Sequence, residues 1–112
     1  MSNKLQEEAV ISLLILLSIS DNELHSKERE FIEKLISEKN FSTDIDKELD
    51  QIHNKFRDDF DTACIYFINT IQDIELQKIT MELMRRLAAA DLIVKDREIK
   101  FLELVKKIWK IQ

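Results

Sequence analysis

Ala9-Val10-Ile11-Ser12-Leu13-Leu14-Ile15-Leu16-Leu17-Ser18-Ile19 is the most apolar stretch of this 112-residue chain, and its reading decides the fold. It falls well short of the roughly 20 apolar residues that a helix needs to cross a bilayer. The preceding Asn3-Lys4-Leu5-Gln6-Glu7-Glu8 is net acidic, and no small-x-small cleavage pattern follows, so the stretch does not read as a secretion signal either. What remains is a helix from about Leu5 to Ile19 that is apolar almost all round. Such a helix has to be covered on every side. The expectation is a central helix wrapped by others, in a cytoplasmic protein with no transmembrane segment.

The composition points the same way. The chain has no Gly and no Pro, where average usage of roughly 7% and 5% would place about eight and about six. Phosphate-cradling loops, dinucleotide fingerprints and the EF-hand turn need Gly for positive φ or for close backbone approach, so none is present in ordinary form. Tight hairpins lose their usual turn residue as well. Codon bias contributes to the absence, because the chain is rich in Ile and Lys. A hydrophobic share of 45% beside 35% charged residues describes one soluble domain, residues 1–112. The single cysteine, Cys64, lies in the apolar run Ala63-Cys64-Ile65-Tyr66-Phe67-Ile68. It has no partner for a disulfide or a thiolate metal site and reads as an inert core residue in a reducing compartment.

Periodicity predicts about six helices. After the first, Ser20 to His25 is a break, and a second helix runs from about Ser26 to Lys39 with Phe31, Ile32, Leu35 and Ile36 on one face. Ser42 or Thr43 is positioned to cap a third, peripheral helix with the stripe Ile45, Leu49, Ile52 and Phe56. A fourth, from about Asp58 to Thr70, carries Phe60, Ala63, Cys64, Phe67, Ile68 and Ile71. A break with Asp73 as cap separates it from a fifth helix that reaches Ala90, although no Gly or Pro enforces the break and one long helix is the alternative. The fifth uses Ile79, Leu83, Met84, Leu87 and Ala88. The sixth runs from about Asp96 to Ile111, and its Phe101, Leu102, Leu104, Val105, Ile108, Trp109 and Ile111 cover about half the circumference. A face that wide is either deeply packed or a surface for a protein partner.

The formal net charge is −5, and the acidity belongs to the first half, where residues 1–56 hold 12 acidic side chains against 7 basic ones. Lys106, Lys107 and Lys110 form the only basic run of note, at a helix C-terminus where cations suit the dipole. Nucleic-acid binding is not expected.

A shift of 70 residues lays Leu17 to Glu33 onto Leu87 to Glu103. Leu17 falls on Leu87, Asp21 on Asp91, Glu28 on Glu98, Phe31 on Phe101 and Glu33 on Glu103. Each unit is a helix, a short acidic loop and a helix, with an Asp where the first helix ends and a Glu seven places later. This constellation resembles the tellurite-resistance TerB-like family, whose loops read Ala-Asp-Gly-x-Ile followed by Ser-x-x-Glu, and the resemblance runs from about Leu5 to Ile111. It implies an all-helical domain with two pseudo-symmetric helix-loop-helix units, an association with stress and metal-ion resistance, and no enzymatic activity. It also implies a cation site built from the loop acids, here Asp21, Glu28, Asp91 and Glu98. The family's loop Gly is Asn22 in the first unit and Leu92 in the second, and Leu does not readily take positive φ. The second loop is therefore expected to follow a different backbone path.

Four carboxylates suit a hard divalent cation such as Ca²⁺ or Mg²⁺, and Glu23 and Asp96 stand close enough in sequence to add to them. An EF-hand counted from Asp21 would place its bidentate Glu at Ile32, so that pattern fails. His25 and His53 are far apart, which disfavours softer metals. The same four acids would also arise from helix capping alone, with Asp accepting loop N–H groups and Glu reaching back to the cap amide, and the neighbouring Lys27 and Arg97 could pair with them. No Ser-His-Asp or Cys-His arrangement is present, so an enzyme is not expected. Two function classes follow. One is a TerB-like cation-binding stress-response protein. The other is a small helical adaptor, regulator or immunity-type protein that binds a protein partner through the last helix or the acidic first half without metal. Self-association as a homo-oligomer is open.

Overall fold

The computed structural model describes residues 4–19, 26–57, 59–90 and 96–110. They form six helices, α1 (Lys4–Ser18), α2 (Ser26–Lys39), α3 (Ile45–Phe56), α4 (Phe60–Thr70), α5 (Ile74–Ala90) and α6 (Asp96–Trp109), and no strand occurs among them. From Ala9 to Ser18 every residue of α1 is buried. The helix packs against all five others, as its all-round apolar sequence requires. It closes at Ser18, one residue before the expected end, and the Ser18 hydroxyl donates back to the Leu14 carbonyl at 3.0 Å.

Side chains, not Gly or Pro, shape the turns. Asp44 caps α3, accepting from the Lys47 N–H at 2.8 Å. Ser42 and Thr43, the expected caps, do not fill that role, because Thr43 turns its hydroxyl to Glu48 instead. Asp59 caps α4, which begins at Phe60 and not near Asp58; its two carboxylate oxygens accept from the Thr62 N–H at 3.1 Å and the Thr62 hydroxyl at 2.6 Å. Both bonds favour the ionised form, hydroxyl first, and lower the Asp59 pKa.

The junction of α4 and α5 is a real break. Ile71 is extended, at φ −86° and ψ 100°. The Gln6 side-chain oxygen, from the start of α1, accepts from the N–H groups of Gln72 and Asp73, each at 3.2 Å. Asp73 accepts from the Glu75 N–H at 3.0 Å, and the Gln77 amide donates to the Ile71 carbonyl at 2.8 Å. Two glutamines and an aspartate thus satisfy the backbone groups that a continuous helix would have paired.

The core lies around α1. It takes Ile32 and Leu35 from α2, Ile45 and Ile52 from α3, and Ala63, Cys64, Phe67 and Ile68 from α4, with Ile71 just beyond. On α5 the buried positions are Thr80, Met81, Leu83, Met84, Leu87 and Ala88. Ile79, expected in that stripe, is 44% exposed. The buried Thr80, Met81, Met84 and Ala88 turn the packed face away from Ile79, which is left at its edge beside Leu83. The buried Thr80 is tolerated because its hydroxyl donates to the Leu76 carbonyl at 2.7 Å.

The wide apolar face of α6 is turned inward. Phe101 and Val105 are buried, while Leu102, Leu104, Ile108 and Trp109 are partly buried against the core. Phe60 and Phe101 meet edge to face, with ring centroids 5.9 Å apart. The Trp109 indole N–H donates to the Ile68 carbonyl at 2.8 Å, which fastens the end of α6 to α4. The helix stops at Trp109, and Ile111 lies outside the described residues.

Leu14, fully buried in the middle of α1, has no solvent side to which it can relax. Leu14→Ala should cost about 2–5 kcal/mol of unfolding free energy, read as a lower urea midpoint at unchanged m-value.

Candidate functional site

Of the four loop acids, Asp21 and Asp91 lie outside the described residues, as do Glu23, His25 and Leu92. Glu28 and Glu98 are described, and they are equivalent in position: each is the third residue of its helix, α2 or α6. Both are sunk below the surface, at 4% and 3% exposure. A glutamate is almost never that buried without compensation. The first turn supplies part of it, since its N–H groups lack helical partners and the positive end of the helix dipole favours an anion. Lys27, beside Glu28, is exposed. Among the described residues α2 and α6 make no close backbone approach. No group of three or more His, Cys, Asp or Glu side chains placed to hold a metal occurs among the described residues.

A third carboxylate is buried more completely, and the sequence reading missed it. Glu48 on α3 is 0% exposed. Its Oε1 accepts from the Ser12 hydroxyl of α1 at 3.1 Å, and its Oε2 accepts from the Thr43 hydroxyl at 2.5 Å. Burial raises its pKa; the two hydroxyl bonds work against that rise, the nearby Glu8 adds to it, and Lys47 opposes it. Lys47 itself faces Glu8 at 3.7 Å. A signal for the pair does exist in the sequence. Ser12 interrupts the apolar run of α1, and Glu48 sits three residues after Ile45 and four before Ile52, inside the α3 stripe.

Among the described residues, clefts of about 450, 380 and 360 Å³ open on the surface, and each of these is bordered by α3 or the residue that caps it. The first runs between α1, α3 and α4, with Gln51, Asn54, Lys55, Tyr66 and Thr70 on its walls. The Lys55 ammonium lies 3.9 Å from the Tyr66 ring centroid. The second is floored by Leu16, Ile52 and Ala63, with His53 and Arg57 at its edge. Neither joins a nucleophile to a base. Cys64 is free and buried, and burial, followed by the nearby Asp61, pushes its thiol pKa up to about 12. It is the inert core residue that the sequence led one to expect, because the thiolate is the reactive form. In the native protein at pH 8, iodoacetamide should leave Cys64 unmodified over a period in which the urea-unfolded chain is fully alkylated, as read by mass spectrometry.

No helix among the described residues is long and apolar enough to cross a membrane. No protein-family model, curated protein or solved structure matches this chain.

Proposed function

We propose that this chain is a non-enzymatic TerB-like domain whose paired loop acids, Asp21 with Glu28 and Asp91 with Glu98, bind a divalent cation, Ca²⁺ or Mg²⁺, in a stress-resistance role. The observation that carries the reading is the burial of Glu28 and Glu98 at the same position of α2 and α6. Each glutamate is held inward seven residues after its loop aspartate, a spacing that repeats in the two units, and carboxylates in that pattern suit a hard cation. The adaptor reading draws less support, since the broad face of α6 is spent on the core.

Calorimetric titration with Ca²⁺ or Mg²⁺ should show saturable binding that disappears in the Asp21→Asn, Asp91→Asn double variant. A thermal midpoint that neither cation raises and chelator does not lower would leave the four acids as helix caps alone and overturn the proposal.

A further inference from the structure

Three independent features converge on α3. It ends at Arg57, which takes φ 53° and ψ −115°, lies outside the ordinary left-handed well and is strained. Along its length α3 is flanked by clefts, towards α4 and the start of α1 on one side, towards the end of α1 on another, and towards α2 at its cap. At its inner face stands Glu48, wholly buried, with two neutral hydroxyls as its hydrogen-bond donors.

We propose that α3 is a strap over α1 that lifts from the turn at Arg57, and that its docking is linked to one proton carried by Glu48. The charged groups around the carboxylate do not remove its need for that proton. Lys47 of α3 is directed to Glu8 of α1, and Arg29 of α2 is held by Glu33 and by Asp46 of α3, at 3.0 and 3.1 Å. On the α4 side Lys55 lies over Tyr66. When the strap lifts, Glu48 hydrates and returns to the ordinary glutamate range. When it docks, burial favours the neutral acid.

The sign follows from which state holds the proton longer. Below the ordinary glutamate pKa both states are protonated and docking is strongest. As pH rises from there towards the raised value of the docked state, the lifted state ionises first and docking weakens. Above the raised value both are ionised and the effect levels off. Lifting uncovers Ser12 on α1 together with the stripe Ile45, Leu49, Ile52 and Phe56.

Hydrogen exchange of the α3 amides from below the ordinary glutamate pKa up to neutrality, corrected for intrinsic rates, reads the opening constant directly. In the natural sequence it should rise with pH, no more steeply than about tenfold per pH unit, the limit for one group. It should then flatten, while α1 and α5 amides stay more protected. Glu48→Gln should abolish the rise and Glu8→Gln should keep it. The proposal is overturned by a pH-independent opening in the natural sequence, by a slope that survives Glu48→Gln or vanishes in Glu8→Gln, or by α3 opening only together with α1. Should Glu48→Gln not fold, the carboxyl carbon of Glu48 followed by NMR in the natural sequence decides the matter: a midpoint above the ordinary glutamate value supports it, and one at or below that value refutes it.

Discussion

The structure depends on one constraint, the need to take α1 out of water on every side. Ten consecutive residues, Ala9 to Ser18, are buried, and burying a single Leu or Ile side chain is worth roughly 1.5–3 kcal/mol. No pair of helices can enclose a cylinder of that kind. All five remaining helices contact it, and α2, α3 and α5 carry narrower stripes because each needs only one side covered. Fold class, helix number and the amphipathic character of α2, α3 and α5 are consequences of the same demand.

Folding five helices round a sixth requires sharp turns, and this chain makes them without Gly or Pro. The work falls to side chains that stand in for backbone partners. Asp44 and Asp59 cap α3 and α4, while Gln6, Asp73 and Gln77 together close the turn between α4 and α5. Gln6 is the most telling of these, because one side-chain oxygen of α1 receives two N–H groups from a turn more than sixty residues away. Where a glycine would ordinarily take positive φ, Asn40, Arg57 and Lys110 do so instead. The strain at Arg57 therefore follows from a composition that offers no better residue.

Charge is handled with equal economy. Most ion pairs in the described residues are exposed, such as Arg29 with Glu33 and Asp46, and pairs of that kind contribute little to stability. Three glutamates are buried instead: Glu28, Glu48 and Glu98. Two occupy first turns, where the dipole assists. Glu48 is held between α1 and α3 by hydroxyls, and so places a desolvated carboxylate at the seam between the central helix and its cover. Burial of that kind favours the neutral form of Glu48, against the two hydroxyl bonds that favour the ionised one.

The sequence by itself determined that the chain is all-helical, that α1 is central, and which residues of α2, α3 and α4 face the core, because hydrophobic period and the absence of Gly and Pro are local properties. It also determined the spacing of Asp21, Glu28, Asp91 and Glu98. Tertiary structure decided what local rules leave open. Thr43 is a better cap than most residues, yet it serves Glu48, since a buried carboxylate gains more from a hydroxyl than a solvated helix end does. Ile79 is apolar but exposed, because Thr80, Met81, Met84 and Ala88 turn the packed face of α5 away from it. The face of α6 reads equally as core or as partner surface until Trp109 reaches the Ile68 carbonyl. Glu48 shows in the sequence only as a charge inside the α3 stripe, and that it is buried is decided when Ser12 is laid against it, because no single helix carries both halves of that contact.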